Sequence, residues 1–411
     1  MRVSNLVTVT LSCLCSIALG CGDDTTHHEG GGDAATPPNT GGQTNTGGQA
    51  GAGGSTSTGG QAGAGGSTST GGQAGAGGST STGGQAGAGG GGPTAGWLYT
   101  IDGDPHIYLD GGGSTGVWMG RGVNLDDLFL CGYNYGLWMD SPHDGEHALL
   151  GLIDAMMASW KPNFVRVSLG MNSYSPVVHW QAGSDYTTAM TNVIEHLGSY
   201  AGVFVLVSLR SDTTMVEPGG GECGQGDDAV CLPSNATDDV YRALVQSFHD
   251  KPYVLFGIAN EPGGNGSSNS DIRARMEHAV SVIRAQEDAL GSPHHLIAVQ
   301  GNQWTSQIAF YAADPLSFDN VVYEYHAYPP IASEYTFSNI PVIIGEYGPS
   351  GSDTSFSLGF FADVEAKQIP NLAWSLSPYS NCAPDLVAVT HDASLTTTAW
   401  GDVVKAYLQA H

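Results

Sequence analysis

Between Trp118 and Ser375 the chain alternates eight short apolar runs with longer amphipathic stretches. The runs are Trp118–Asn124, Asn163–Leu169, Val203–Leu209, Tyr253–Ala259, Leu296–Gln300, Val321–His326, Pro341–Glu346 and Asn371–Ser375. Apolar residues fill both parities of each run, the pattern of parallel strands covered on both faces. Helical spacing marks His147–Trp160, Thr187–Tyr200, Asp238–His249, Asp271–Ala289 and Phe356–Gln368, with Leu395–Gln409 closing the chain. Eight strand–helix alternations predict an α/β fold of the (β/α)8 TIM-barrel type rather than an open sheet. The preceding segment, Trp97–Leu109, reads as a hairpin placed to plug the bottom of the barrel.

Before this domain the pattern changes. Met1 and Arg2 precede an apolar run, Leu6–Leu19, too short to span a bilayer. It ends Ala18-Leu19-Gly20-Cys21, small residues before a cysteine and then a polar tail, so residues 1–21 read as a lipoprotein-type signal with Cys21 lipidated. The expected location is therefore exported, at the outer membrane or cell surface, with plain secretion as the alternative. Residues 22–95 hold tandem copies of GGQAGAGGSTST and almost no branched apolar or aromatic side chain. Such a segment cannot bury enough surface to offset its backbone entropy, so a disordered tether is expected. Residues 96–411 remain for one catalytic-sized domain.

Charge excludes two classes of partner. The chain carries 12 Lys+Arg against 39 Asp+Glu, a formal net charge of −27. Nucleic acid and anionic membrane both require a basic face, so neither is expected, and membrane contact would come only through a lipid anchor. A monomer is expected. Outside the leader, four cysteines remain: Cys131, Cys223, Cys231 and Cys382. Four cysteines allow three pairings. Cys223–Cys231 brackets one loop, and Cys131–Cys382 joins the exits of the first and last strands, which a closed barrel makes neighbours. No cysteine or histidine spacing resembles a zinc site, and no metal or cofactor is expected.

The candidate chemistry lies at strand ends. Gly257-Ile258-Ala259-Asn260-Glu261-Pro262 and Val342-Ile343-Ile344-Gly345-Glu346-Tyr347 are apolar runs that each stop at a glutamate. A barrel keeps its reacting groups at the C-terminal tips of its strands. Two carboxylates on different strands suit retaining glycoside hydrolysis, which needs an acid/base and a nucleophile about 5–5.5 Å apart. Arg166 on the second strand, His326 and Tyr328 after the sixth, and Trp374 on the eighth fall at the same end. Arg166 and Tyr328 are suited to hold Glu346 ionised, Asn260 to bind a sugar 2-hydroxyl, and Trp374 and Trp304 to offer flat faces to a pyranose ring. Glu324 shares the parity of His326 and is expected to point inward, paired with an arginine such as Arg121.

This ordered set, with the Arg121-Gly122-Val123-Asn124-Leu125 opening, resembles glycoside hydrolase family 5, the retaining cellulase and mannanase family of the large barrel-hydrolase clan. The resemblance covers essentially all of Trp97–His411. It implies Glu261 as acid/base and Glu346 as nucleophile. One position departs: Arg210 stands where the family usually has a histidine at the end of the third strand. A permanent cation there would favour nearby ionised carboxylates and offer a fork of donors to substrate, so the departure bears on subfamily and substrate. The activity implied is an endo-β-1,4-glucanase, with β-1,4-mannan as the other substrate. A carbohydrate-binding surface lipoprotein on a barrel that has lost catalysis is the alternative of another class.

Overall fold

The computed structural model describes residues 96–110, 116–125, 142–170, 180, 183–209, 232–233, 237–262, 268–331, 333–379 and 383–411, all within the unit Gln85–His411. Three short strands come first: β1 (Trp97–Thr100), β2 (Ile107–Asp110) and β3 (Gly116–Val117). They form an antiparallel sheet. The barrel strands follow as β4 (Arg121–Leu125), β5 (Phe164–Leu169), β6 (Phe204–Leu209), β7 (Val254–Gly257), β8 (Ile297–Gln300), β9 (Val321–Ala327), β10 (Val342–Tyr347) and β11 (Asn371–Leu376). All eight pair in parallel and close, β11 beside β4. The expected (β/α)8 barrel is the observed fold.

The helices are α1 (Pro142–Ser159), α2 (Asp185–Gly198), α3 (Asp238–Phe248), α4 (Asn269–Leu290), short α5 (Asn302–Thr305) and α6 (Ala309–Ala313), α7 (Phe356–Lys367) and α8 (Ala399–Ala410). Local sequence accounts for the helices' buried faces and ends, as two of them show. In α3, Val240, Tyr241, Leu244, Val245 and Phe248 make one apolar stripe, and all five are buried. In α4, Ser268 and Asp271 form a reciprocal capping box, and Gly291 ends the helix at φ 66°. Short α5 holds left-handed residues and is a turn rather than a regular helix, and α6 falls in a stretch where the apolar spacing predicted no helix.

Alternation along each strand divides the core. Outward residues such as Val165, Val207, Phe256 and Tyr325 pack beneath the helices. Inward residues near the strand starts, among them Phe164, Phe204, Leu255, Val322, Ile343 and Leu372, fill the barrel floor with Leu98, Ile107 and Trp118. Trp118 meets the edges of Phe164 and Phe204 at centroid distances of 5.0 and 5.2 Å. The N-terminal hairpin thus seals the bottom, as expected, and the inward positions higher up are left for polar groups.

Several sequence expectations are corrected or fall elsewhere. No disulfide is present among the described residues, and Cys131, Cys223, Cys231 and Cys382 all lie outside them, so the pairings Cys131–Cys382 and Cys223–Cys231 are withdrawn. The expected signal at residues 1–21, including Cys21, and the repeats at 22–95 also lie outside the described residues. Among the described residues no helix is long and apolar enough to cross a membrane.

Candidate active site

Above the floor, the inward positions turn from apolar to ionisable. On β5 the inward series runs Phe164, Arg166, Ser168; on β9 it runs Val322, Glu324, His326. Register carries Arg166 beside Asn124 of β4 and Glu346 of β10 beside His326 of β9. Strict alternation from Ile343 would turn Glu346 away from the barrel. A bulge between Ile344 and Glu346 inserts one extra residue on β10 and re-aims the glutamate inward.

Arg166 is the hub. Its side chain has no exposed surface, and its fork is spent on four strands. Nη1 donates to Glu346 Oε1 at 2.7 Å and to Asn124 Oδ1 at 3.0 Å, while Nη2 donates to Asn260 Oδ1 at 2.6 Å and Ser208 Oγ at 3.2 Å. Nε lies 3.4 Å from Glu324 Oε1. Burial disfavours the guanidinium charge, but Glu324 and Glu346 more than offset this and hold it above its ordinary value. Because Asn260 Oδ1 is committed to Arg166, the amide nitrogen is what Asn260 can offer a ligand.

Glu346 is buried and fixed at both oxygens, by Arg166 on Oε1 and by the Tyr328 hydroxyl, which donates to Oε2 at 2.9 Å. Burial and the Glu346 charge push the Tyr328 phenol well above its ordinary value, so it remains a donor. Glu261 is more open, with its side chain 24% exposed. It sits at φ 50° just past β7, a left-handed conformation unusual for a non-glycine residue. Two contacts hold it there: its amide donates to Gln300 Oε1, and its Oε1 lies 2.8 Å from His326 Nδ1. A carboxylate oxygen of Glu261 and one of Glu346 come within 4.8 Å of one another. Arg166 and His326 supply positive charge against these acids.

His326 is enclosed by carboxylates. Nδ1 faces Glu261 and lies 3.5 Å from Glu346 Oε2; Nε2 lies 3.1 Å from Glu324 Oε1. Burial opposes protonation of the ring, yet Glu346, Glu261 and Glu324 outweigh it and lift the imidazole from 6.5 to about 9. Glu324 is fully buried; burial favours its neutral form, but Arg166 and His326 bring it below the usual carboxylate range.

The structure therefore brings together Arg166, Asn260, Glu261, His326, Tyr328 and Glu346. Trp374, 6% exposed, lies on β11 with its backbone oxygen accepting from Trp400 Nε1. Trp304, 38% exposed, follows β8. It is the middle of three consecutive left-handed residues, with Gln303 at φ 53° and Thr305 at φ 56°. Arg210 lies outside the described residues. One expectation is wrong: Glu324 does not pair with Arg121, which instead makes a two-pronged contact with Glu365 at 2.6 and 2.7 Å outside the barrel. Arg121 falls on the outward parity of β4, and Arg166 is the arginine on the inward one. Sequence reading also missed Asn124, Ser208 and Gln300, whose inward strand parity is the signal that would have found them.

Solved structures share this fold. The catalytic domain of Thermobifida fusca endoglucanase Cel5A superposes with a TM-score of 0.55 at 20% identity, covering 77% of this chain and 98% of that one. A β-glucanase from Saccharophagus degradans gives 0.57 at 16% identity, covering 77% and 94%. In sequence, an endoglucanase from Clostridium saccharobutylicum is 24% identical over 174 residues, 39% of this chain and 37% of that protein. A mannan endo-1,4-beta-mannosidase from Cellvibrio japonicus is 24% identical over 197 residues, 44% and 45%. These matches span less than half the length of either relative. The family model described as cellulase (glycosyl hydrolase family 5) matches residues 143–380, more than half of the chain, and it is to this family that the chain belongs.

Proposed function

We propose that the protein is a retaining glycoside hydrolase acting on a β-linked polysaccharide, with Glu261 as acid/base and Glu346 as nucleophile. The observation that carries the reading is the approach of the two carboxylates to within 4.8 Å. Inverting enzymes need about 6.5–9.5 Å to admit a water between the pair. The environments differ as the roles require. Glu346 is clamped at both oxygens, as suits an ion that must attack one carbon from a fixed position. Glu261 is partly open, as suits a group that reaches a leaving oxygen and later a water.

Binding begins with Asn260, whose amide nitrogen can donate to the 2-hydroxyl. Glu261 then protonates the glycosidic oxygen as the C1–O bond breaks and a Glu346 oxygen bonds C1. In the second half Glu261 takes a proton from water as that water displaces Glu346. Arg166 and Tyr328 hold the nucleophile throughout by donating to its two oxygens.

β-1,4-Glucan is the substrate class favoured, in keeping with the endoglucanase names among the relatives. β-1,4-Mannan is the second reading, supported by the mannosidase match. A panel of soluble β-1,4-glucan and β-1,4-mannan, with NMR of the first product anomer, tests both. Release of the β-anomer from glucan is expected. Release of the α-anomer would refute the retaining mechanism, and binding without hydrolysis would favour a carbohydrate-binding protein instead.

A further inference from the structure

Glu324 has no place in the two-carboxylate mechanism, yet it lies fully buried beneath the nucleophile. Room for it exists because residue 345 has no side chain: a Cβ on Gly345 would come within 1.9 Å of Glu324 Oε1. Its Oε1 faces both Arg166 Nε and His326 Nε2. The other nitrogen of the same ring faces Glu261. A neutral imidazole has one N–H, so it can donate to only one of two flanking carboxylates. With both glutamates ionised, the ring satisfies both only as a cation.

We propose, on the functional reading given above, that Glu324 is a positioning residue that keeps His326 an imidazolium and through it governs the proton on Glu261. The groups that face the ring are Glu261 from the β7 exit, Glu324 on its own strand, Glu346 and Tyr328, with Arg166 behind Glu324 and Glu346. When Glu261 carries its proton, the two cations Arg166 and His326 balance the two anions Glu324 and Glu346. In the first half-reaction Glu261 gives up its proton, and Glu346 loses its charge in forming the bond to C1. The cations then balance Glu324 and Glu261. The buried group is neutral at both ends of the step, which is the arrangement that avoids an uncompensated charge in a poorly solvated site. Without Glu324 neither state balances. Removing its charge makes the coupled His326–Glu261 pair release protons at lower pH, whichever of the two holds the proton.

The experiment is a histidine-labelled NMR titration of the full chain, with His326→Asn assigning the resonance, beside pH profiles of kcat/KM on soluble β-1,4-glucan. In the wild type the ring is expected to stay doubly protonated up to about pH 9. In Glu324→Gln its titration and the basic limb of the profile should both fall by about 1–3 pH units, the effect of losing one close opposite charge. Glu324→Asp should recover most of the shift. A wild-type ring that titrates near pH 6.5 would overturn the proposal without any variant, including the case in which Glu324→Gln does not fold. So would a Glu324→Gln protein of lower activity with unmoved titration and pH limb, the outcome of a merely structural role. If the wild type hydrolyses neither glucan nor mannan, the functional reading fails, while the ring titration still decides whether Glu324 holds the imidazolium.

Discussion

Replacing Arg166 by methionine removes a side chain that touches four barrel strands, and its cost can be worked from the contacts. The guanidinium lies 2.7 Å from Glu346 Oε1 and 3.4 Å from Glu324 Oε1, with none of its side chain exposed. With charge centres about 4 Å apart and an effective dielectric of about 20, each pairing contributes about 4 kcal/mol. Taking the guanidinium out of water returns several kcal/mol of that gain. Deleting Arg166 nonetheless leaves the buried carboxylates of Glu324 and Glu346 without that counter-charge, and breaking such a group typically costs about 3–5 kcal/mol. Arg166→Met should therefore lose about 3–5 kcal/mol at pH 7. Because the deficit comes from ionised carboxylates, it should shrink as pH falls and they take up protons. Removing Glu324 as well, in Arg166→Met/Glu324→Gln, should recover part of it at pH 7. Urea unfolding at pH 5 and pH 8, followed by tryptophan fluorescence, measures all three quantities. A loss below about 1 kcal/mol, or one equal at both pH values, would refute the account of Arg166 as the counter-charge of this site.

Three further outcomes are expected. His326 is raised from 6.5 to about 9; the stability it contributes, about 3 kcal/mol, is complete below pH 6.5 and lost as pH climbs through 9. Urea midpoints of wild type and His326→Asn should accordingly converge over that window, and parallel curves would contradict the charged ring. Gly345→Ala, which sets a methyl against Glu324, should destabilise by about 1–3 kcal/mol and lower kcat; an unchanged melting temperature would show that Glu324 has other room. Trp304→Ala should weaken KM for long oligosaccharides with little change in melting temperature, since the ring is 38% exposed; equal KM values would remove it as a sugar platform.

Much of the site could be read because barrel chemistry is tied to where strands end, and strand ends are written locally. Asn260-Glu261-Pro262 and Glu346-Tyr347-Gly348 announce themselves as stops after apolar runs, and Arg166 stands alone as a cation inside one. The partner of Glu324 could not be read in the same way. Parity says that Glu324 points inward, but choosing between Arg121 and Arg166 requires knowing which arginine shares the interior at that height. That is decided by which parity of β4 and of β5 faces inward, and apolar residues on both parities of each run leave the inward one unmarked.

The chain's own order of residues determined the eight-strand alternation, the hairpin beneath it and the placing of two glutamates at strand ends, because period and punctuation act over a few residues. Tertiary structure alone decided three things. A one-residue bulge at Gly345 turns Glu346 into the barrel. The side chain missing at that same glycine admits Glu324 beside the strand that carries Glu346. Register across the barrel brings Arg166 and His326 to the level of three carboxylates. Each is a matter of register across strands distant in sequence, where buried charges choose partners by height and direction and not by separation along the chain.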